Sequence, residues 1–217
     1  MQHRPFGLYE RFFKRPLDIL TAVVALVLLS PIMGAIALLV RIKNGSPVIF
    51  AQERPGKGEK IFTLYKFRTM TDKRGDNGSM LPDADRLTPL GWWLRKYSLD
   101  ELPELWNVVK GDMSIIGPRP LVVEYLSVYT EAEHHRHDVR PGISGLAQVS
   151  GRNYLPWDAR LALDVEYVNR ITLLGDICIV MKTIRQVIKG TDVAPSTEEI
   201  EEGDLCEIRN MKKREGQ

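Results

Sequence analysis

The chain is poor in cysteine and carries no strong excess of charge of either sign. Its 217 residues include two cysteines, Cys178 and Cys206, and no CxxC spacing, so a disulfide framework is excluded. The formal net charge is +2, and no basic stripe is interleaved with aromatic residues, which argues against nucleic-acid binding. A low cysteine count is typical of proteins in a reducing compartment, so we expect the catalytic side to face the cytoplasm.

One long segment lacks charged residues altogether. From Ile19 to Val40, 22 residues include no Asp, Glu, Lys or Arg. A straight helix of this length measures about 33 Å, which is enough to cross the hydrocarbon core of a bilayer. A cleavable signal peptide is disfavoured because the A-x-A match at residues 35–37 lies inside the run, and so small a chain could hardly bury the run in its own core. We therefore expect membrane insertion.

The centre and the flanks of this segment favour a re-entrant helix. Pro31 follows Ser30, and a proline there removes a backbone hydrogen bond and favours a sharp bend. Positive residues favour the cytoplasmic side, and they stand on both flanks. They are Arg4, Arg11, Lys14 and Arg15 before the run and Arg41, Lys43, Lys57 and Lys60 after it. A helix that is broken at Ser30 and Pro31 and returns to the same face satisfies both flanks; a kinked spanning helix is the alternative.

Two cations follow on a predicted β-hairpin. Strand-like runs at Val48–Gln52 and Ile61–Arg68 flank a turn-rich connection at residues 54–58. Alternation along the second strand places Lys66 and Arg68 on one face. This pair fits either an anion site or an ordinary solvated strand face, and only a converging site elsewhere would favour the first.

Two adjacent carboxylates, Asp100 and Glu101, precede the next apolar helical pattern. Ser98 with Glu101 matches a capping box. Pro103 would then lie inside the helix, whereas with Asp100 as the cap it falls in the first turn, where its missing N–H is harmless. In both cases the carboxylates lie at a helix N-terminus, where backbone N–H groups and the helix dipole favour bound anions.

Two further segments could present polar groups to a phosphate. Arg119 lies between two prolines, which hold the backbone extended and present the guanidinium at little entropic cost. The stretch Pro141–Asn153 is rich in Gly and Ser and carries Gln148, Arg152 and Asn153, which suits close approach to a phosphate or nucleotide. An ordinary loop is the alternative for both segments.

The other charged patterns have plainer interpretations. The histidines of residues 131–138 stand among many charges without an apolar frame, which favours a solvated helix face over a zinc site. The amphipathic helix predicted at Leu173–Lys189 lies either on an anionic membrane surface or against the core. Trp92 and Trp93, on a helix that starts with Thr88 as its N-cap, belong either to the lipid headgroup region or to the core.

Several long motifs, in one order, resemble the monotopic bacterial sugar transferases, the small phosphoglycosyl transferases of capsule, exopolysaccharide and glycoprotein pathways. The resemblance covers about residues 11–190. Its motifs are Lys14–Asp18 before the Ser30 and Pro31 break, QERPGKGEKIFTLYKFRTM (Gln52–Met70), SLDELPELWNVVKGDMSIIGPRP (Ser98–Pro120) and PGISGLAQVSGRN (Pro141–Asn153).

The resemblance implies a catalytic dyad, Asp100 and Glu101, that also binds Mg²⁺. It implies that Asp100 attacks the sugar-linked phosphate of a UDP-sugar, that UMP leaves, and that polyprenyl (undecaprenyl) phosphate then attacks the phosphoglycosyl aspartate. A carboxylate approaches an anionic diphosphate only where cations neutralise it. The expected substrate-binding residues are Lys66, Arg68, Arg95 and Arg119 at the phosphates and Gln148, Arg152 and Asn153 near the nucleotide.

We therefore predict a mixed α/β protein of the α+β type. Residues 1–43 form the N-terminal region with the re-entrant membrane helix. Residues 44–193 form a mostly helical cytoplasmic catalytic domain with a small β-hairpin and amphipathic membrane-surface helices, and residues 194–217 form an acidic, disordered tail.

The expected location is the cytoplasmic face of the inner membrane, with a UDP-sugar, polyprenyl phosphate and membrane lipids as partners. A homodimer or an assembly with downstream glycosyltransferases stays open. The alternative functions are a membrane-anchored glycosyltransferase that releases UDP and a membrane scaffold without enzymatic activity.

Overall fold

The chain folds into one long N-terminal helix and a body of shorter helices with two small strand pairs, which confirms the α+β class. The computed structural model describes residues 5, 7–76, 78–151, 155–189 and 204–215. The described helices are α1 (Lys14–Lys43), α2 (Asp83–Arg86), α3 (Pro89–Lys96), α4 (Glu104–Lys110), α5 (Glu131–His134), α6 (Leu146–Ser150), α7 (Trp157–Asn169), α8 (Leu173–Lys189) and α9 (Leu205–Glu215). The described strands are β1 (Ile49–Pro55), β2 (Ile61–Phe67), β3 (Ser114–Ile116) and β4 (Gly142–Ser144).

The break expected at Ser30 and Pro31 does not interrupt α1, which is one helix of 30 residues. Proline has no N–H to donate to the carbonyl of Val27, four residues before it. The Ser30 hydroxyl donates to that carbonyl instead, at 2.8 Å. The helix is uninterrupted at this position, and the serine hydroxyl serves the acceptor that proline leaves free. Together with a π-helical turn at Tyr9–Phe13, α1 is long and apolar enough to cross a membrane.

Both halves of α1 pack against the same body. In the N-terminal half, Ala22 is fully buried in a cluster with Leu64 and Val108. In the C-terminal half, Val40 is fully buried in a second cluster with Phe67. The outer face of α1 keeps its apolar side chains exposed along most of the helix. One side of the helix therefore packs against the body, and the other side packs against nothing in the described part of the chain.

A buried polar network, the anchor cluster, fixes the start of α1. It consists of Tyr9, Lys14, Asp18, Ser114, Tyr167 and Asp176. Asp18 accepts from the Ser114 hydroxyl at 2.6 Å and from the Ile115 N–H at 3.2 Å. Asp176 of α8 accepts from the Tyr9 hydroxyl and the Lys14 ammonium, both at 2.7 Å, and from the Tyr167 hydroxyl at 2.8 Å.

The end of α1 is fixed by Asn44. Its Nδ2 donates to the Arg68 carbonyl at 2.8 Å, and its Oδ1 accepts from the Thr88 hydroxyl at 3.0 Å. Thr88 also accepts from the Gly91 N–H at 2.9 Å, which confirms it as the N-cap of α3. The body thus holds both ends of the long helix.

The predicted hairpin is confirmed, with β1 extending to Pro55 rather than ending at Gln52. β1 and β2 are antiparallel, with Ile49 opposite Phe67 and Pro55 opposite Ile61. β3 leaves the end of α4 and pairs in parallel with β4. Because β3 runs directly into the Gly-Pro-Arg-Pro segment, this pairing positions Arg119.

α8 and the tryptophan pair leave apolar surface exposed. α8 packs on the body through Ile179, as the core interpretation predicts, but exposes Leu174 and Met181 at 75% and 62%. Trp92 and Trp93 are exposed at 44% and 45%, so the core interpretation of this pair is wrong.

The tail differs from the expected disorder over Leu205–Glu215, which form α9. Leu205 is 1% exposed and packs in a cluster with Tyr125 and Trp157. Apolar burial and ion pairs made by Arg209 compensate for the acidic composition that suggested disorder.

Candidate active site

Asp100 and Glu101 lie in one 3-10 turn between α3 and α4. The turn follows Ser98, whose backbone is left-handed with a φ of 53°. α4 begins at Glu104 directly after Pro103, so the proline lies outside the hydrogen-bonded part of the helix. Neither of the two capping alternatives is found, because Ser98 makes no side-chain cap and Pro103 occupies the N-cap position of α4. The predicted place of both carboxylates, just before an apolar helix, is confirmed.

Glu101 is held by two cations. One of its oxygens, Oε1, accepts from Lys66 Nζ at 2.8 Å and from Arg119 Nη2 at 2.6 Å. Burial alone would raise the pKa of Glu101, but the charges of Arg119 and Lys66 outweigh burial and hold this pKa well below its usual range. Glu101 is therefore an ionised and immobilised carboxylate.

Asp100 differs from Glu101 both in its hydrogen bonding and in the direction of its pKa shift. The residue is 8% exposed, and its carboxylate makes no hydrogen bond or ion pair within the part of the chain that the structure describes. Burial raises the pKa of Asp100, the charge of Glu101 raises it further, and Lys66, Arg95 and Arg119 only partly offset this rise. An added cation beside Asp100 would favour its ionised, nucleophilic form.

A third carboxylate, Glu104, was not predicted. It is 1% exposed, and its Oε1 lies 3.1 Å from Lys66 Nζ without hydrogen-bond geometry. Burial and the charge of Glu101 raise the pKa of Glu104 to about 7, against the opposing effect of Lys66. The spacing of three residues from Glu101 was the available signal, because residues i and i+3 share a helix face.

Of the predicted phosphate-binding cations, Lys66 and Arg119 converge on the dyad through Glu101. The solvated alternative for Lys66 is wrong, since its side chain is 19% exposed and faces Glu101 and Glu104. Arg95 Nε donates to the Thr69 hydroxyl at 3.1 Å, and its charge lowers the pKa of Asp100. Three cations therefore act electrostatically on the nucleophile candidate.

Arg68 and Gln148 are engaged elsewhere. Arg68 donates to the carbonyls of Ser46 and Met70 and pairs with Asp72, so the structure gives it a role in holding loops rather than at the dyad. Gln148 lies on α6 and donates to the Ile143 carbonyl at 2.9 Å, so its predicted segment is partly regular structure. The predicted nucleotide contacts Arg152 and Asn153 lie outside the described residues.

Arg54 is a cation that the sequence analysis missed. In the hairpin it lies opposite Phe62, so it shares the face of β2 that carries Lys66. Burial and the nearby charge of Arg119 lower the pKa of Arg54, and its Nε is buried without a hydrogen-bond partner among the described residues. Alternation along β1, read with the hairpin register, was the signal that could have found it.

Arg136 is hydrogen-bonded to the backbone of Arg119. It is 2% exposed, and its Nη2 donates to the Arg119 carbonyl at 2.6 Å and to Asp164 at 2.7 Å. The expected solvated face at residues 131–138 is therefore wrong for Arg136 and for His137, which is also buried. Asp164, distant in sequence, neutralises Arg136 and makes its burial tolerable. Burial and the Arg136 charge lower the pKa of His137 to about 3.

Asp100 and Glu101 fit the chemistry of a Mg²⁺ site. Among the described residues, no group of three His, Cys, Asp or Glu side chains could hold a metal ion. Mg²⁺ in phosphoryl-transfer sites takes only one or two carboxylates and completes its coordination with substrate phosphates and waters. The carboxylate of Asp100, which has no hydrogen-bond partner in the described part of the chain, and the adjacent one of Glu101 supply such a donor set.

The arrangement suits attack on an anionic phosphorus centre. The Asp100 carboxylate is buried and makes no hydrogen bond among the described residues, and the charges of Lys66, Arg95 and Arg119 act on it. Preorganised cations of this kind lower the barrier to phosphoryl transfer by stabilising charge in the transition state.

Known proteins that are similar in sequence to this chain are sugar transferases. The family model of bacterial sugar transferases matches residues 9–190. The chain is 50% identical over 175 residues to the uncharacterized sugar transferase EpsL of Bacillus subtilis strain 168, which covers 81% of this chain and 87% of EpsL.

Two enzymes with specific names are also similar. Identity is 43% over 187 residues with the UDP-N-acetylgalactosamine-undecaprenyl-phosphate N-acetylgalactosaminephosphotransferase of Aeromonas hydrophila. Identity is 38% over 197 residues with the undecaprenyl-phosphate galactose phosphotransferase of Salmonella typhimurium. The matches cover 82% and 83% of this chain but 44% and 41% of the two enzymes, so the chain spans under half of their length.

The family match includes α1, the hairpin, both carboxylates of the dyad and the cations that surround them. The chain therefore belongs to the bacterial sugar transferase family and is a transferase.

Proposed function

We propose that this protein transfers a sugar 1-phosphate from a UDP-sugar to polyprenyl phosphate and releases UMP. The observation that carries the proposal is Asp100, a buried carboxylate without a hydrogen-bond partner among the described residues, beside the doubly paired Glu101. An unpaired buried carboxylate costs folding free energy, and such groups cluster at catalytic sites. Two relatives whose names describe transfer of a sugar phosphate to undecaprenyl phosphate support the same reaction.

The first step forms a covalent intermediate. A carboxylate oxygen of Asp100 attacks the phosphorus that is bonded to the sugar. The bond from this phosphorus to the bridging oxygen breaks, and UMP leaves with the bonding electron pair. Asp100 and Glu101 would hold Mg²⁺, which would supply positive charge to neutralise the diphosphate. Lys66 and Arg119 carry the protein's share of that neutralisation.

The second step releases the product. A phosphate oxygen of the polyprenyl phosphate attacks the same phosphorus, and the bond to Asp100 breaks. The product is a polyprenyl diphosphosugar, and the aspartate carboxylate is regenerated. Glu101 acts throughout by fixing the two cations, because its Oε1 accepts from both of them.

We also propose that α1 is re-entrant without a break, with both of its ends held on one side of the membrane by the body, and that the body lies on the cytoplasmic face of the inner membrane. Asp18 at one end and Asn44 at the other are both bonded to the same charged body. If α1 crossed the bilayer, part of the body that is hydrogen-bonded to its two ends would have to enter the lipid. Each charged residue moved to the centre of the bilayer would cost about 3 kcal/mol. The positive residues on both flanks favour the cytoplasmic side for both ends.

The exposed stripe of α8 and the paired tryptophans are proposed to contact the same membrane surface. Leu174, Ile177 and Met181 form an exposed apolar stripe at helical spacing. Trp92 and Trp93 suit the interface between headgroups and acyl chains. Both features leave apolar area that lipid would remove from water.

Cysteine labelling tests the topology. Cys178 and Cys206 are replaced by Ser, and Gly7→Cys or Lys43→Cys is introduced at an exposed position. An impermeant maleimide added outside intact spheroplasts should label neither site, and lysis should expose both. Labelling of either site from outside would contradict the re-entrant arrangement.

A product assay tests the reaction. Full-length protein is incubated with Mg²⁺, polyprenyl phosphate and one member of a panel of UDP-sugars, and UMP and UDP are separated by chromatography. We expect UMP in equal amount to lipid-linked sugar phosphate, no turnover with Asp100→Asn, and normal turnover with the control Asp83→Asn in a surface helix. UDP as the product would indicate an ordinary glycosyltransferase instead.

A further inference from the structure

We propose that α9 is a strap that positions Arg119 for binding of the nucleotide-sugar donor. This inference rests on the proposed function, because Arg119 is assigned there to the donor diphosphate. α9 lies outside residues 9–190, the part that the family model matches. It lies beyond the segment that the family model describes, and its contacts show where it packs.

α9 docks through its first turn. Leu205 is 1% exposed and packs with Tyr125 and Leu161. Asp204, just before the helix, accepts from the Tyr125 hydroxyl at 2.9 Å and caps the Cys206 N–H at 2.8 Å. Apolar burial and a cap on one turn fix both the position and the direction of the helix.

Arg209 adds an ionic clamp one turn later. Its Nη2 lies 2.7 Å from Glu133 of α5 and 2.7 Å from Asp158 of α7. The Arg209 and Glu133 side chains are 19% and 13% exposed, so this pair is better shielded from water than the one with Asp158. α9 thus joins three elements: α5, α7 and the turn Val123–Ser127.

These same elements hold Arg136. Asp164, one turn after Leu161 on α7, accepts from Arg136 at 2.7 Å. Tyr129, which belongs to the Leu205 cluster, accepts from Arg136 at 3.2 Å. Arg136 in turn donates to the Arg119 carbonyl at 2.6 Å. A continuous set of packed and hydrogen-bonded groups therefore links α9 to the backbone of Arg119.

The position of this backbone controls how Arg119 meets a ligand. The Arg119 side chain is 41% exposed while one end binds Glu101, so it can reach a donor phosphate without leaving the dyad. α9 has no described contact with Asp100 or Glu101. Loss of the strap should therefore weaken donor binding and leave the chemical step intact.

Donor kinetics test the strap in the full-length enzyme. Leu205→Asp and Arg209→Glu should each raise KM for the UDP-sugar by about fivefold to tenfold with kcat within about twofold, the pattern of lost ground-state binding. The matched control is Met211→Asp, the same change in chemistry at a side chain of α9 that is 54% exposed, and it should leave both constants unchanged. Adding Glu133→Arg to Arg209→Glu should restore part of the donor affinity.

Two readouts separate positioning from general stability. A purely structural role would lower the folded fraction, and hence apparent kcat, without a change in KM. Hydrogen exchange of residues 121–136, measured without substrate, should accelerate in Leu205→Asp and not in Met211→Asp. Unchanged exchange and unchanged KM in the α9 variants would overturn the strap.

Arg119→Ala distinguishes failure of the strap from failure of the proposed function. If Arg119→Ala raises the donor KM while the α9 variants do not, the strap is contradicted and the donor site stands. If Arg119→Ala also leaves the donor KM unchanged, the assignment of Arg119 to the donor fails and the strap fails with it.

Discussion

Two clusters of buried carboxylates, the anchor cluster and the active site, differ in how completely their oxygens are hydrogen-bonded. In the anchor cluster, both oxygens of Asp18 and both oxygens of Asp176 accept hydrogen bonds from the described residues around them. In the active site, Asp100 has no partner among the described residues, and Glu104 Oε1 has no hydrogen bond. Glu101 accepts two hydrogen bonds there, whereas Glu104 has only an ion-pair contact with Lys66 at 3.1 Å.

The difference shows what each group is for. A fully paired buried network gains from the low dielectric around it and fixes one geometry, which suits the junction between α1 and the body. An incompletely paired network loses stability but retains capacity for a cation and an anionic substrate. Changes in the anchor cluster should therefore act on stability, and changes in the active site on turnover.

The largest effect is expected from Asp100→Asn. Turnover should fall by at least about a thousandfold, because the amide is a poor nucleophile. Thermal unfolding in detergent should stay unchanged or move to higher temperature, since a buried unpaired acid is replaced by a neutral group of the same shape. A large loss of stability would show that Asp100 belongs to a structural network like that of Asp176.

Asp176→Ala should have the reverse profile. Lys14 and two tyrosine hydroxyls lose their acceptor, so the free energy of unfolding should fall by about 3 kcal/mol. Denaturant unfolding in detergent measures the loss, and kcat per folded molecule should remain near that of the wild type. Asp85→Ala, at an exposed position, is the control and should change stability by less than about 0.5 kcal/mol.

Glu104→Gln sharpens the comparison through pH. The pKa of Glu104 is raised from 4.5 to about 7, so folding disfavours its ionised form. The stability that the protonated acid contributes is fully present below pH 4.5 and is lost as the pH rises through about 7. Between about pH 5 and pH 8, the wild type should lose on the order of 2 kcal/mol relative to Glu104→Gln.

Unfolding of both proteins across this pH range, without Mg²⁺ or nucleotide, measures the difference. A constant difference in unfolding free energy would mean that Glu104 is ionised throughout and is paired as fully as the anchor carboxylates.

The smallest effect is expected within α1. Ser30→Ala leaves the Val27 carbonyl, which Pro31 cannot serve, without its donor. The cost should be about 0.6 kcal/mol, typical of one side-chain hydrogen bond in a membrane helix. Ser30→Thr retains a hydroxyl and should keep the stability of the wild type, so equal losses in the two variants would exclude the hydrogen bond as the cause.

Local signals made much of the fold predictable. The hairpin, the Thr88 cap and the place of Asp100 and Glu101 before a helix all follow from residues a few positions apart. The break at Pro31 was also a local inference. The structure shows α1 without an interruption there, and the Ser30 hydroxyl donates to the carbonyl that proline leaves free.

Contacts between distant segments could not be predicted in this way. The pair Arg136 and Asp164 is separated by 28 positions, and only the fold makes a buried arginine stable there. Arg68 shares a strand face with Lys66, yet the loops around it take its guanidinium away from the dyad. α9 is stabilised because Leu205 packs against Tyr125 and Trp157 of the body. The composition of the tail alone gives no sign of this contact.

Intact mass measurement of rapidly quenched protein tests the central claim most directly. With UDP-sugar and Mg²⁺ but no polyprenyl phosphate, the wild type should gain the mass of one sugar phosphate and release at most about one equivalent of UMP. Polyprenyl phosphate should then remove the adduct, and Asp100→Asn should never form it. Steady turnover without any adduct on the wild type would contradict the account, since the polyprenyl phosphate would then attack the UDP-sugar directly.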